Sequence, residues 1–215
     1  EEVIGSFYLD PFFRPIKTRR HIMAPIFEHP KTALISTTIR PPPWDHLSID
    51  LTFEHTATLF HEFGHVLQFL LARQTGLRGG ENIDVDISEV LSQFMEHWLF
   101  ESSILQTLAH FSQSEGEIPA ELIDQLTRER KMDKLNQLAH RVFLSELEFE
   151  YYMRSADEEE SIVAMQHRIA TDHIAHDPLA KSDLGPLKAI VGNNASGKRI
   201  AQYRYLLSEM ISTDL

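Results

Sequence analysis

The chain has no cysteine among its 215 residues. Disulfides, cysteine-ligated metal sites and cysteine nucleophiles are therefore excluded. A reducing compartment is compatible with that absence. Long apolar runs are missing too: no stretch approaches the roughly 18 uninterrupted apolar residues of a membrane-spanning helix. Basic charge is scarce. Lysine and arginine total 20 against 32 aspartates and glutamates, a formal net charge of −12. That balance argues against nucleic acid and anionic membranes as partners. It points to no particular substrate, although a negative surface could favour basic peptides. There is no repeat and no low-complexity tract. The length suffices for a substantial core, in one large domain or at most two. The chain opens Glu1-Glu-Val-Ile4 without a methionine and enters a strand-like stretch at once. It reads as a piece of a longer protein.

The most informative stretch is Leu59-Phe-His-Glu-Phe-Gly-His65, which holds an H-E-x-x-H pattern at His61, Glu62 and His65. On a helix, positions i and i+4 lie one turn apart on the same face. His61 and His65 can thus aim two imidazoles at one zinc ion. Glu62 beside them can serve as general base toward a metal-activated water. The pattern fixes only three positions, so ordinary polar or interface histidines are the alternative. The flanks favour the metal. Leu59, Phe60, Phe63, Val66, Leu67, Phe69, Leu70 and Leu71 make the segment apolar almost all round, as in a buried helix. Buried histidines and a buried glutamate need partners, and a metal would satisfy all three. Gly64 sits mid-helix, where glycine costs about 1 kcal/mol relative to alanine. Something is therefore expected to approach the backbone closely there.

A catalytic zinc takes three protein ligands and keeps one position for water. The stretch from Asp84 to Trp98 is the source of the third. Its acidic start suits a helix N-terminus. Glu89, Gln93, Glu96 and His97 form one polar stripe in an otherwise apolar helix. Glu89 is the candidate ligand. Gln93, Glu96 and His97 are candidates for orienting ligands through hydrogen bonds. For Glu96 and His97 a solvated helix face is the alternative.

Leu59–His65, followed by Ser88-Glu-Val-Leu-Ser-Gln-Phe-Met-Glu-His-Trp98, resembles the thimet-oligopeptidase-like family of zinc peptidases. That family, which includes oligopeptidase A and mitochondrial intermediate peptidase, carries F-H-E-F-G-H on one helix and a glutamate ligand in an E-x-P-S-Q-like stretch on the next. Gly5-Ser-Phe-Tyr-Leu-Asp10 is similar to its G-Y-F-Y-L-D strand. Thr32–Ile39 falls where the family has a strand beside the substrate cleft. Tyr203-Arg-Tyr-Leu-Leu-Ser-Glu209 is similar to its Y-x-Y-x-W-S segment. The likeness runs, with gaps, over nearly the whole chain and is most specific across residues 59–98.

The resemblance implies a zinc-dependent endopeptidase that hydrolyses short oligopeptides, with one zinc per chain held by His61, His65 and Glu89. It also implies that a missing N-terminal part of the same chain packs against this one and walls a deep channel. In the family, a Gly-rich loop supplies a histidine and tyrosines that hold substrate and stabilise the tetrahedral intermediate. Aligned without gaps back from Tyr205, that loop is Gly192-Asn-Asn-Ala-Ser-Gly-Lys198. Asn193 stands in place of the histidine, Lys198 and Gln202 in place of tyrosines, and Tyr205 matches a tyrosine. A shift of a few residues would give one of these roles to Tyr203. Asn193, Lys198 and Tyr205 are expected to act alongside Glu62 in catalysis. The replacements leave room for a catalytically impaired, zinc-binding relative that acts as a peptide-binding or regulatory protein. The same loop nearly matches a phosphate-binding P-loop, Gly192-x4-Gly197-Lys198, after a strand-like Leu187–Val191. Arg199 stands where that loop needs Ser or Thr for magnesium, so nucleotide binding is set aside.

The expected fold is mainly α: a helical zincin-like metallopeptidase domain with a small β-sheet at its N-terminal side. Residues 1–215 are read as a single catalytic domain. Within it, residues 1–45 are a β region and connector, with strands at 6–9 and 32–39. The zinc-site helices occupy 54–111, as 54–73 and 86–111, with a flexible loop at 77–80. The helical C-terminal part is 118–215, with the substrate-contact loop at 192–205. Pro119 opens one or two long helices over 120–154, and Asp157-Glu-Glu-Glu160 opens another to about His176. The aromatic stretch Phe143–Tyr152 reads as core. His167, His173 and His176 suit a helix end, with a second metal site or a substrate contact as the alternative. The expected setting is cytoplasmic, or an organellar matrix.

Overall fold

In the computed structural model the described residues are 3–17, 20–28, 31–42, 50–72, 84–110, 118–155, 157–174, 185–195 and 201–215. Three strands come first: β1 (Ser6–Phe12), β2 (Ile22–Glu28) and β3 (Lys31–Ile39). They form one sheet in the order β1-β3-β2. β3 runs parallel to β1, with Ser6 opposite Thr32 and Leu9 opposite Ile35, and antiparallel to β2, with Met23 also opposite Ile35. Pro11 and Pro25 lie in the outer strands, where a missing N–H is tolerated, and the register shifts beside each of them. β2 was not expected. Pro25 interrupts its Ile-Met-Ala-Pro-Ile-Phe sequence and hides the strand pattern.

The central strand β3 is buried almost throughout. Ala33 and Ile35 pack with Val66, Phe69 and Leu70, and Met23, Leu59 and Phe63 close around them. Leu59, Phe63, Val66, Phe69 and Leu70 belong to helix α1 (Phe53–Leu71). Thr52 caps its start, accepting a hydrogen bond from the His55 amide at 3.2 Å. Lys31 caps its end. The buried ammonium donates to the Phe69 carbonyl at 2.6 Å and the Leu70 carbonyl at 3.3 Å. Those carbonyls have no partner within the helix, and they carry its negative pole. Strand and helix are thereby fixed end to side.

The stretch 86–111, expected to be helical, is helical in separate short pieces as far as His110. A 3-10 turn (Val85–Ile87) precedes α2 (Val90–His97), and a second (Trp98–Phe100) separates it from α3 (Ser102–His110). The causes are local. The Asp84 carboxylate accepts from the Asp86 amide and the Ser88 hydroxyl donates to the Val85 carbonyl, both competing with helical bonds. Glu101 is extended and breaks the second junction. The segment after Pro119 is a single helix of 34 residues, α4 (Ala120–Met153). Next come α5 (Ile162–His173), α6 (Gly185–Ala195) and α7 (Tyr203–Thr213). α5 starts later than its acidic run, because the Ser161 hydroxyl caps it by accepting from the Ala164 amide. Leu187–Val191 is helical, not a strand.

The protein is mainly α with a small three-stranded sheet near its N-terminal side. It divides into two compact units, Glu1–Thr127 with Ser208–Leu215, and Arg128–Leu207. The second unit has its own core: Phe143 and Leu147 from α4, Met165, Ile169 and Ala170 from α5, Leu187 and Ile190 from α6. Leu144, Tyr151 and Tyr152 pack around it, so the aromatic stretch is core as expected except at Phe149, which is exposed. The 77–80 loop lies outside the described residues. Among those described, no helix is long and apolar enough to cross a membrane.

Candidate metal centre

One turn of α1 sets His61 and His65 side by side, their ring centroids 4.9 Å apart and nearly perpendicular. The start of α2 brings Glu89 to them. Its Oε2 lies 3.3 Å from Nε2 of His61 and 3.3 Å from Nε2 of His65. Gly64 makes this approach possible. A Cβ there would meet the Leu91 carbonyl oxygen and the Ser92 Cα, each at 2.4 Å. The close contact expected at Gly64 is thus the backbone of α2.

Glu89 is buried at the first position before α2, where the positive end of the helix favours its charge. The Ser92 hydroxyl donates to its backbone carbonyl at 2.9 Å and its Oε2 at 3.1 Å. Two turns on, Glu96 accepts a 2.6 Å hydrogen bond from Nδ1 of His61. That bond fixes the ring and leaves Nε2 toward Glu89. Glu96 therefore touches the cluster and is not merely a solvated face.

The electrostatics follow from this packing. Burial lowers the basicity of His61, but hydrogen bonds to Glu89 and Glu96 outweigh it and hold the imidazole up at about 9. Burial pushes the Glu89 carboxyl up, yet the two histidines outweigh that and hold it well below the usual carboxylate range. Glu62 goes the other way. Burial raises it and the charge of Glu89 adds to this, against the histidines and a hydrogen bond from the Met23 backbone. Its Oε2 is buried with no hydrogen-bond partner among the described residues.

The donor set suits zinc. Nitrogen atoms of His61 and His65 and a carboxylate oxygen of Glu89 all lie within 4.8 Å of one another. Two histidines and a glutamate, with no sulfur, are the ligands of one class of catalytic zinc site. Among the described residues no other group of three His, Asp or Glu side chains meets in this way.

The remaining candidates are not part of this cluster. Gln93 is buried, and its backbone N–H donates to the Glu89 backbone carbonyl at 3.0 Å. His97 pairs with Glu209 at 3.1 Å and not with a histidine of the cluster. Tyr205 belongs to the second unit. Its hydroxyl accepts from Nη2 of Arg204 at 2.9 Å, and Arg141 lies over its ring. Asn193 is on α6, and Lys198 lies outside the described residues. His173 binds Glu146 at 2.5 Å and His167 is exposed, while His176 lies outside the described residues. Ser92 and the Met23 backbone were missed. A serine three residues past a carboxylate at a helix start was a usable signal. Met23 had none, because β2 was hidden.

The model for peptidase family M3 matches residues 1–215. The chain is 29% identical over 230 residues to the organellar oligopeptidase A, chloroplastic/mitochondrial, of Arabidopsis thaliana, covering 98% of this chain and 28% of that protein. It is 29% identical over 227 residues to a probable cytosolic oligopeptidase A of the same plant, covering 97% of this chain and 32% of that one. Oligopeptidase A of Salmonella typhimurium is 30% identical over 160 residues, 69% of this chain and 22% of its own. The chain thus spans a third or less of the length of these relatives.

Proposed function

The chain belongs to peptidase family M3, and we propose that it carries the metal centre of a zinc-dependent endopeptidase acting on short oligopeptides. The observation behind this reading is the convergence of His61, His65 and Glu89 beside a buried Glu62. His61 and His65 offer Nε2 and Glu89 offers Oε2 to one zinc ion. Zinc held there supplies Lewis acidity toward a carbonyl oxygen and lowers the pKa of water.

The other roles fall to the chain's own groups. Glu62 takes a proton from the attacking water on its carboxylate, then passes it to the nitrogen of the leaving amine. Glu96 holds His61 in the tautomer that presents Nε2. Ser92 steadies the Glu89 carboxylate. By resemblance, Asn193, Lys198 and Tyr205 donate hydrogen bonds to the developing oxyanion. Residues 1–215 act as one catalytic domain, and further sequence of the same chain packs against it to exclude folded substrates. A cytoplasmic or organellar-matrix setting fits the names of the relatives. Asn193 and Lys198 in place of the family's histidine and tyrosine favour a second reading, a zinc-binding relative that holds peptides and cuts them poorly.

The test is hydrolysis of a quenched-fluorescent mixed peptide library by the full-length protein, with zinc assayed on the same sample. Zinc near one per chain with chelator-sensitive cleavage is expected. Zinc near one per chain without cleavage would favour the second reading, and absence of zinc would overturn both.

A further inference from the structure

A buried carboxylate in the second unit has no part in the chemistry above. Glu148 on α4 is 1% exposed. Its Oε2 accepts two short hydrogen bonds, from the Ala201 amide and the Gln202 amide, both at 2.7 Å. Its Oε1 is buried with no hydrogen-bond partner among the described residues. Ala201 and Gln202 immediately precede Tyr203, the first residue of α7. The Tyr205 amide in turn donates to the Gln202 carbonyl at 3.2 Å.

Arg141 lies two turns before Glu148 on the same face of α4. It donates to the Tyr205 carbonyl at 3.3 Å and stacks over the Tyr205 ring. One face of α4 thus holds the first turn of α7 at two points, by its amides and by its carbonyl. A polar group buried this way is weak support for stability, since an apolar side chain of similar volume often serves as well. Its better-attested use is to fix register. Register matters here, because a slip of one residue turns a helical side chain by about 100°.

We propose that Glu148 is a positioning residue that sets the rotation of α7 and so aims the Tyr205 hydroxyl. The proposal rests on the reading of Tyr205 as a donor to the reacting carbonyl. Glu148 itself touches no substrate. It anchors the two amides, and the aim of Tyr205 follows from that anchor.

The test is a double-mutant cycle in the full-length protein with a quenched-fluorescent peptide, reading kcat, KM, zinc content and melting temperature. Tyr205→Phe should lower kcat by about 10²-fold, as loss of one oxyanion donor does. Glu148→Ala should lower kcat by a similar factor, about the cost of a 1 Å misplacement, with KM and zinc content little changed. In the Tyr205→Phe background Glu148→Ala should cost less than about threefold more, because the two act through one hydroxyl. Glu148→Gln keeps a carbonyl acceptor for the two amides and should recover most of kcat. If Glu148→Ala does not fold, Glu148→Asp, one methylene shorter, carries the same cycle. Additive losses, or a fall in melting temperature with kcat unchanged, would overturn the positioning role. A Tyr205→Phe variant with unchanged kcat would instead remove the reading of Tyr205, and the proposal with it.

Discussion

The α1–α2 cluster and the stretch before α7 solve the same problem, placing polar groups, in different ways. In the first, His61, Glu62 and His65 sit within about one turn of a single helix, so their relative positions follow from helix geometry alone. Only Glu89 is brought from elsewhere, and Gly64 opens the way for it. In the second, Asn193 and Tyr205 lie on different helices, α6 and α7, and α7 is held by side chains from α4. Local spacing fixes the first arrangement. Long-range anchoring fixes the second. Substitutions in the first region should therefore separate cleanly into chemistry, packing and metal affinity, whereas those in the second should show up as coupling.

The sharpest separation is at Glu62. Glu62→Gln should keep its zinc and lower peptide hydrolysis by about 10²–10⁴-fold, the usual worth of a general base. Near-normal turnover by that variant would remove the assignment. Packing is separated at Gly64. A methyl group there collides with backbone of α2, which cannot swing aside as a side chain can. Gly64→Ala should cost about 3 kcal/mol or more in spite of its better helix propensity, read by denaturant unfolding. An unchanged midpoint would mean that α1 and α2 do not pack this closely.

Metal affinity is separated at Glu96. Removing the group that holds Nδ1 of His61 should weaken zinc binding by about 10–100-fold, with Glu62 and the fold left intact. Competition against a chelator measures it, and unchanged affinity would make the 2.6 Å contact irrelevant. The smallest effect is a proton. Without metal, His61 is held up at about 9 and so carries both ring protons below that pH. Zinc needs the Nε2 lone pair, so binding must expel that proton. Near pH 7.5, zinc titration of the metal-free protein should release about one proton, and the release should fade as pH rises through about 9. Calorimetry in two buffers of different ionisation enthalpy reads this. No difference between buffers would mean that His61 is already neutral.

What could be read from the sequence followed the same division. The apolar run around His61 announced a buried helix, which is buried along one face and half-buried elsewhere, and Gly64 within it announced a close neighbour; both are local signals. Glu89 was readable because an acidic start and a polar stripe mark a helix beginning. Pro25 concealed β2, and with it the Met23 backbone beside Glu62. The break at Glu101 was invisible, since a single extended residue between apolar stretches leaves no composition signal. Glu148 was least legible. Its partners lie 53 and 54 residues away, and the sequence around it reads only as core.

The central claim is that His61, His65 and Glu89 share one zinc. Anomalous diffraction at the zinc absorption edge, on crystals of the full-length protein, tests it most directly. The expected result is a single peak about 2.0–2.2 Å from Nε2 of both histidines and from a Glu89 oxygen. A protein that binds zinc but shows its peak away from these three side chains would contradict it.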